Sequence, residues 1–363
     1  MTAFCQAEKV IDNIYPSAAS QSTVKAIKTP RKSGAGLEDI ALATGVSKMT
    51  VSRVLRGASG FSEITREKVQ RAADRLGYLP NRLAAAFGTE GASTLVGVCV
   101  PRLTSHLFGE VLEAIDRTLS RLGFQTMIGS NDQLPLEEEA WLRGLISWRP
   151  AGVILSGRTH TGASLELLKS AGLPIVEIWD LNTTPLDLSV GFSHYDCGHE
   201  MGRYVLSRGR GRIGYVGALA GVPTMGHRRL DGFRAALAAG GRPLVETEIL
   251  HDRPGFYAGY YGLETLLARV PGLDMVYFHD DAMAIGGLAY ARACGIDVPG
   301  RLGIAGWGGM EAASILPQRL TTTLVQTHSI GKLAAEGLVA RLRGEPVRDV
   351  TLVPTRLVPG ATV

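Results

Sequence analysis

The 363-residue chain predicts two architectures in series: a small all-α head and an α/β body of two doubly wound, parallel-sheet subdomains. Three observations point there. From Leu37 to Gly88, apolar residues recur at helical spacing in short segments interrupted at Gly45 and Gly77. After Thr94, continuous apolar runs suited to buried strands alternate with amphipathic helical segments, the pattern of parallel sheets. Charge is also divided: from Lys25 to Arg82, twelve Lys and Arg stand against five Asp and Glu, a net +7 that leaves −3 of the chain's formal +4 for the rest.

Residues 1–35 show no sustained period and end in the turn-rich "KTPRKSGAG", so they read as a disordered extension. Leu37, Ile40 and Ala41 then place one apolar stripe on a first helix, and Gly45 supplies a left-handed turn. Ser47 is the expected N-cap of a second helix running to about Leu55. Ser62 caps a third, on which Ile64, Val69, Ala72, Ala73 and Leu76 line one face up to Gly77. Pro80 and Asn81 open a short segment, "NRLAAAF", that stops at Gly88. In the body, "TLVGVCV", "FQTMIGS", "AGVILSG", "LPIVEIWD", "RIGYVGAL", "DMVYFHD" and "LGIAGWG" carry the strand signal, with helices such as "FGEVLEAIDRTLSRLG" and "HRRLDGFRAALAAGG" between them. About 265 residues of this are too many for one small sheet, so two similar subdomains with a ligand between them are expected.

Composition narrows the function. With 45% hydrophobic and 20% charged residues the chain reads as globular, and no apolar run approaches a membrane span. Met1 to Gly36 lacks the features of a secretory signal, so a cytoplasmic protein is expected. Cys5, Cys99, Cys197 and Cys294 form no CxxC pair, which argues for reduced thiols in or near cores and against zinc or disulfides. No HExxH, Walker A or GxSxG motif occurs, and Gly209 to Gly214, "GRGRIG", precedes a strand where a dinucleotide fingerprint must follow one. Glu137, Glu138 and Glu139 read as a solvated helix start. No catalytic residue, metal or cofactor is expected.

The stretch "GLEDIALATGVSKMTVSRVLRG", residues 36–57, fits a helix-turn-helix. Val51 and Val54 suffice to hold its second helix on the first, which leaves Lys48, Met49, Thr50, Ser52 and Arg53 free to meet base edges in a major groove. The basic charge of the region supplies the matching electrostatic footprint.

On "LEDIALATGVSKMTVSRVLRG" and "TREKVQRAADRLGYLPNRLAAAF" the chain resembles the DNA-binding heads of LacI/GalR transcription regulators, and the likeness extends from Leu37 to about Gly360. "VSKMTVSR", "GFQTM", "RTHT" and "LDLSVGF" are similar to gluconate-utilisation repressors within that family. The resemblance implies a DNA-binding domain over 36–80, a hinge helix and linker over 81–93, and a periplasmic-binding-protein-like effector and dimerisation body over 94–363. It implies DNA contacts by Ser47, Lys48, Met49, Thr50, Ser52, Arg53 and Arg56, and by Asn81, Arg82, Ala84 and Phe87 of the hinge. Phe87 stands where the family's leucine wedge enters the minor groove, a role open to phenylalanine. Ala35-Gly36 replaces the family's Val-Thr and removes a possible phosphate contact.

For the effector the resemblance implies Arg229 as the ligand-holding arginine, with Ser105, His106, Phe108, Arg158, His160, Trp179, Phe256, Asp280 and Trp307 around it. Asp280 is either an acceptor for sugar hydroxyls or a helix cap. In "AGWGG", Gly308 occupies the place of a carboxylate that grips sugar hydroxyls in relatives, which removes repulsion against an anion. Arg229, Arg158, His160 or His106 could then pair with an acid group. The implied protein is a homodimeric regulator that binds double-stranded operator DNA, a repressor more than an activator, controlled by a small sugar acid such as gluconate or 2-ketogluconate, with no membrane partner. A neutral sugar or nucleoside effector, and a solute-binding protein built on the same body, are the alternatives. The effector's sign, inducer or corepressor, stays open.

Overall fold

The computed structural model describes residues 35–55, 57–78, 93–181, 183–218, 225–251 and 254–363. The expected extension up to residue 34, the hinge segment up to residue 92, and with them Arg56, Asn81, Arg82, Ala84 and Phe87, lie outside the described residues. Residues 1–82 and 83–363 form separate compact units.

In the first unit, α1 (Leu37–Thr44) begins where the Asp39 carboxylate accepts the Gly36 N–H at 2.7 Å. It ends at Gly45, whose φ of 66° needs no Cβ. Ser47 caps α2 (Lys48–Leu55) by accepting the Thr50 N–H at 3.1 Å, and Ser62 caps α3 (Glu63–Leu76) by accepting that of Thr65 at 3.3 Å. Ile40, Val51, Val54, Val69, Ala72 and Ala73 form the buried core, rimmed by Leu37, Ala41, Phe61 and Tyr78. Full burial of Ile40 and Val51 stabilises this small unit by roughly 1.5–3 kcal/mol each. The α3 face is narrower than its pattern predicts. Ile64 is 81% exposed and Leu76 is exposed too, because a helix in so small a bundle meets its partners along one stripe only.

The second unit holds two parallel sheets. The first has strand order β11-β5-β4-β3-β1-β2, with β1 (Leu95–Val100), β2 (Gln125–Ser130), β3 (Gly152–Ser156), β4 (Ile175–Asp180), β5 (Leu188–Phe192) and β11 (Val350–Leu352). The second has order β7-β6-β8-β9, with β6 (Ile213–Gly217), β7 (Glu246–Ile249), β8 (Met275–Phe278) and β9 (Gly303–Ala305). β10 (Thr322–Leu324) and β12 (Arg356–Val358) form a short antiparallel pair. Helices α4 (His106–Arg121), α5 (Pro135–Ser147) and α6 (Gly162–Ala171) follow strands of the first sheet, and α12 (Thr327–Leu342) returns to pack on α4. Helices α7 (His194–Ser207), α8 (Met225–Ala239), α9 (Phe256–Arg269), α10 (Asp281–Ala293) and α11 (Glu311–Ile315) belong with the second sheet. The chain thus passes between the sheets three times: after β5, before α12, and between β11 and β12.

Strands buried on both faces, such as β1, β3 and β6, match the continuous apolar runs that foretold them. Two helix pairs lie backbone to backbone. A Cβ on Gly198 of α7 would stand 1.8 Å from the Arg229 carbonyl oxygen, and one on Gly232 of α8 would stand 1.9 Å from that of Tyr195. Gly259 of α9 and Gly286 of α10 repeat the arrangement. No helix among the described residues is long and apolar enough to cross a membrane. Cys99 and Cys197 are buried and Cys294 is exposed, none in a disulfide.

Candidate DNA-binding face and ligand cleft

On the helix-turn-helix, Val51 and Val54 face the core, while Met49 is 73% exposed and Lys48 and Arg53 are exposed beside it. Lys48 pairs with Glu38 at 3.5 Å, an exposed contact that phosphate or a base edge can replace at little cost. The Arg53 guanidinium lies 5.4 Å over the Phe61 ring, which limits its rotamers and points a cation outward. Ser47 and Thr50 hold each other at 2.9 Å and serve the cap. Ser52 is half-buried.

In parallel sheets ligands bind beyond the carboxyl ends of the strands. Those ends converge here on a small cleft of about 70 Å³. Pro101 and Arg102 follow β1, Gln133 follows β2 and Trp179 lies near the end of β4. From the other subdomain come His194 after β5, Arg229 on α8, His279 and Asp280 after β8, and Trp307 after β9. Ser105 and Phe108 of the α4 start complete the wall. Trp179 has φ of 98°, strained for a bulky residue. Its carbonyl oxygen is where a Cβ on the neighbouring Gly191 would sit, so glycine in β5 permits the distortion. The Trp179 ring packs on Phe108 at 4.6 Å and meets Trp307 of the opposite subdomain at 6.2 Å.

Arg229 is the centre. It is 1% exposed, in contrast to a surface arginine at a helix start. Its guanidinium lies 3.9 Å over the Trp307 ring, donates from Nη1 to His194 Nδ1 at 2.9 Å, and donates from Nη2 to the His279 carbonyl oxygen. No described carboxylate forms an ion pair with it. Burial and the Arg229 charge push the His194 and His279 pKa values well below the ordinary histidine range, so both rings are neutral. Asp180 accepts the His194 N–H at 3.1 Å and pairs with Arg228 at 3.1 Å. Asp280 both lines the cleft and caps α10, accepting the Met283 N–H at 2.8 Å, and burial raises its pKa. Gly308 has φ of 126°, which disfavours any side chain there. The neighbouring Gly309 and Met310 N–H groups donate to Asp281 at 2.8 and 2.7 Å.

Four expected contacts fall elsewhere. Arg158 and His160 do not line the cleft but lie buried in the first subdomain, where His160 contacts Glu138 at 2.6 Å and Glu177 at 3.4 Å, and Arg158 pairs with Glu177 at 3.4 Å. Glu138 is therefore no solvated helix start; it is 1% exposed. Charges this deep must be paired, and these pair with each other. Phe256 begins α9 with 53% of its surface exposed, outside the cleft. His106 opens α4 behind the wall, within electrostatic reach of Asp280, and burial lowers its pKa. No sequence motif marks His194, His279, Arg102 or Gln133, which also line the cleft. Their position is the available signal: Arg102 and Gln133 stand in strand-to-helix loops, His279 directly follows β8, and His194 opens the helix after β5. No cluster of three or more metal-ligating side chains occurs among the described residues.

A helix-turn-helix head joined to a two-sheet body with a cleft at its strand ends defines a ligand-responsive class of DNA-binding proteins. Residues 36–81 match the family described as bacterial regulatory proteins, lacI family, and residues 203–363 match a periplasmic binding protein-like domain. The regulator GntR of Escherichia coli strain K12 is 34% identical over 331 residues, 90% of this chain and 98% of its own length. GntR of Pseudomonas aeruginosa is 35% identical, covering 87% of this chain and 92% of its own. A solved LacI-family regulator from Silicibacter pomeroyi is 36% identical with a TM-score of 0.85, covering 90% of this chain and 99% of that one. The chain belongs to the LacI family: it is a DNA-binding transcriptional regulator, related to the GntR regulators, and not an enzyme.

Proposed function

We propose that this regulator is a cytoplasmic repressor, active as a homodimer, whose hold on operator DNA is set by a small sugar acid such as gluconate or 2-ketogluconate bound in the cleft. The observation that carries the reading is Arg229, a buried cation with no carboxylate partner among the described residues, flanked by two neutral histidines. A bound carboxylate would supply the missing charge. The relatives named GntR favour the same ligand class, and a relative 26% identical, CelR, is known as a cellobiose complex. Trp179, Phe108 and Trp307 offer apolar faces for the carbon chain, and Asp280 an acceptor for hydroxyls.

Dimerisation is favoured by an apolar groove between α10 and the segment after α11, lined by Ile285, Leu288 and Leu316, and by the exposed Tyr257 on α9. Two heads are needed to read half-sites one helical turn apart. Ligand would draw the two subdomains together about the three crossings and alter how the paired bodies present their heads. By linkage, operator must change ligand affinity by the same factor.

Calorimetric titration with gluconate, 2-ketogluconate, glucose and ribose tests the ligand. An acid sugar alone is expected to bind, with affinity reduced by roughly a hundredfold or more in Arg229→Ala, since a charged hydrogen-bonding partner is lost. Binding of a neutral sugar, or indifference to Arg229, overturns the sugar-acid reading. For the head, Lys48→Ala is expected to weaken binding to a duplex selected from a random pool by about tenfold or more and to relax its specificity. An unchanged affinity would remove this residue from base reading.

A further inference from the structure

We propose that His194 is a specificity-determining residue of the cleft: its imidazole, held by Arg229 as the Nε2–H tautomer, donates a hydrogen bond to a carboxylate oxygen of the bound ligand. This deepens the sugar-acid reading and rests on it. The argument starts from donor and acceptor inventories. An arginine has N–H donors and no acceptor, so in the 2.9 Å contact between Arg229 Nη1 and His194 Nδ1 the imidazole nitrogen must accept. A neutral ring that accepts at Nδ1 carries its proton on Nε2. That Nε2 is buried and has no hydrogen-bond partner among the described residues, although His194 lines the cleft.

The ring has little freedom to turn away. Phe192 packs at 4.8 Å and Trp307 at 5.2 Å, and the His194 backbone N–H is tied to Asp180 at 3.1 Å. A buried N–H donor left without an acceptor costs on the order of 1–3 kcal/mol, so a cleft that keeps one ordered is built for something that supplies an acceptor. A ring flip would put Cδ2–H in the place of Nδ1, leaving the Arg229 donor without its acceptor. Arg229 therefore acts twice, as the cation of the cleft and as the group that sets the proton position on its neighbour. Burial first, and then the charges of Arg229, His279 and Arg228, keep the ring neutral, with Asp180 facing it through the His194 backbone N–H, so the donor is present across the ordinary pH range.

Two variants and one spectroscopic measurement test this. His194→Phe keeps the ring and removes the donor; His194→Gln can offer its amide oxygen to Arg229 and its N–H to the ligand. In gluconate titrations, His194→Phe is expected to bind at least tenfold more weakly than wild type, and His194→Gln within about threefold. Equal weakening in both variants with unchanged thermal stability would assign His194 to packing and overturn the proposal, as would wild-type affinity in His194→Phe. Should His194→Phe fail to fold, imidazole ¹⁵N spectra of the wild-type protein decide. A protonated Nε2 in the free protein, with a resonance that moves on addition of gluconate, supports the assignment; a protonated Nδ1, or an Nε2 signal indifferent to gluconate, overturns it. Absence of gluconate binding by the wild type sinks the sugar-acid reading and the carboxylate contact with it, while the spectrum of the free protein still reports whether the tautomer was read correctly.

Discussion

Alanine in place of Gly198 is expected to destabilise the α/β body by about 3 kcal/mol or more, at the upper end of what overpacking produces. The added Cβ would fall 1.8 Å from the carbonyl oxygen of Arg229. That oxygen is backbone, so no rotamer change can relieve the clash, and α7 must move off α8. His194 starts α7 and Arg229 sits on α8, so the displacement reaches the cleft as well as the core. A fall in melting temperature on the order of 6–12 °C is anticipated for a unit of this size, together with weakened ligand binding. Gly109→Ala is the control with the opposite sign: nothing stands within 4 Å of its Cβ, and alanine in a helix interior is favoured by about 0.5–1 kcal/mol. If Gly198→Ala melts with the wild type, the close approach of the two helices is wrong.

Alkaline conditions should weaken the body through His160. Burial opposes its charge, yet hydrogen bonds to Glu138 and Glu177 outweigh that and raise its pKa from 6.5 to about 9. The sign follows from linkage: a folded pKa above the unfolded one means that the folded state holds the proton more tightly. The stabilisation is complete below pH 6.5 and lost as pH rises through about 9, in total about 3 kcal/mol. Urea unfolding across this window is expected to show the loss in wild type and a flatter profile in His160→Gln. Parallel profiles in the two proteins would mean that the ring is neutral between its glutamates. Ligand affinity should not follow the same curve, since His194 and His279 are held far from titration.

The contrast between His160 and His194 explains what is legible in the chain and what is not. Strands β1, β3 and β8 are buried on both faces, so their apolar runs announce them locally. β7 is half-exposed throughout and β10, β11 and β12 span three residues each, too short for any period to register. Glu138 sits in an acidic triplet that looks solvated. Only the fold reveals that His160, in the loop after β3, contacts it and is itself held by Glu177 from within β4. Arg229 was readable from its family motif, whereas His194 hides in the polar "SHYDCGH", which resembles an ordinary helix start. Pairings made across distant segments leave no local trace in composition or spacing.

The three crossings between the sheets set an order on the protein's own birth. The head's described helices end at Leu76, so its core can close as soon as that segment leaves the ribosome. The first sheet of the body must wait: its edge strand is Val350–Leu352 beside β5, and α12 covers β3, β4 and β5. Until those last residues are synthesised, the apolar face of a nearly finished sheet stays open to solvent and to other nascent chains. A message truncated before codon 327 would therefore yield a product with an intact helix-turn-helix and an unfinished body.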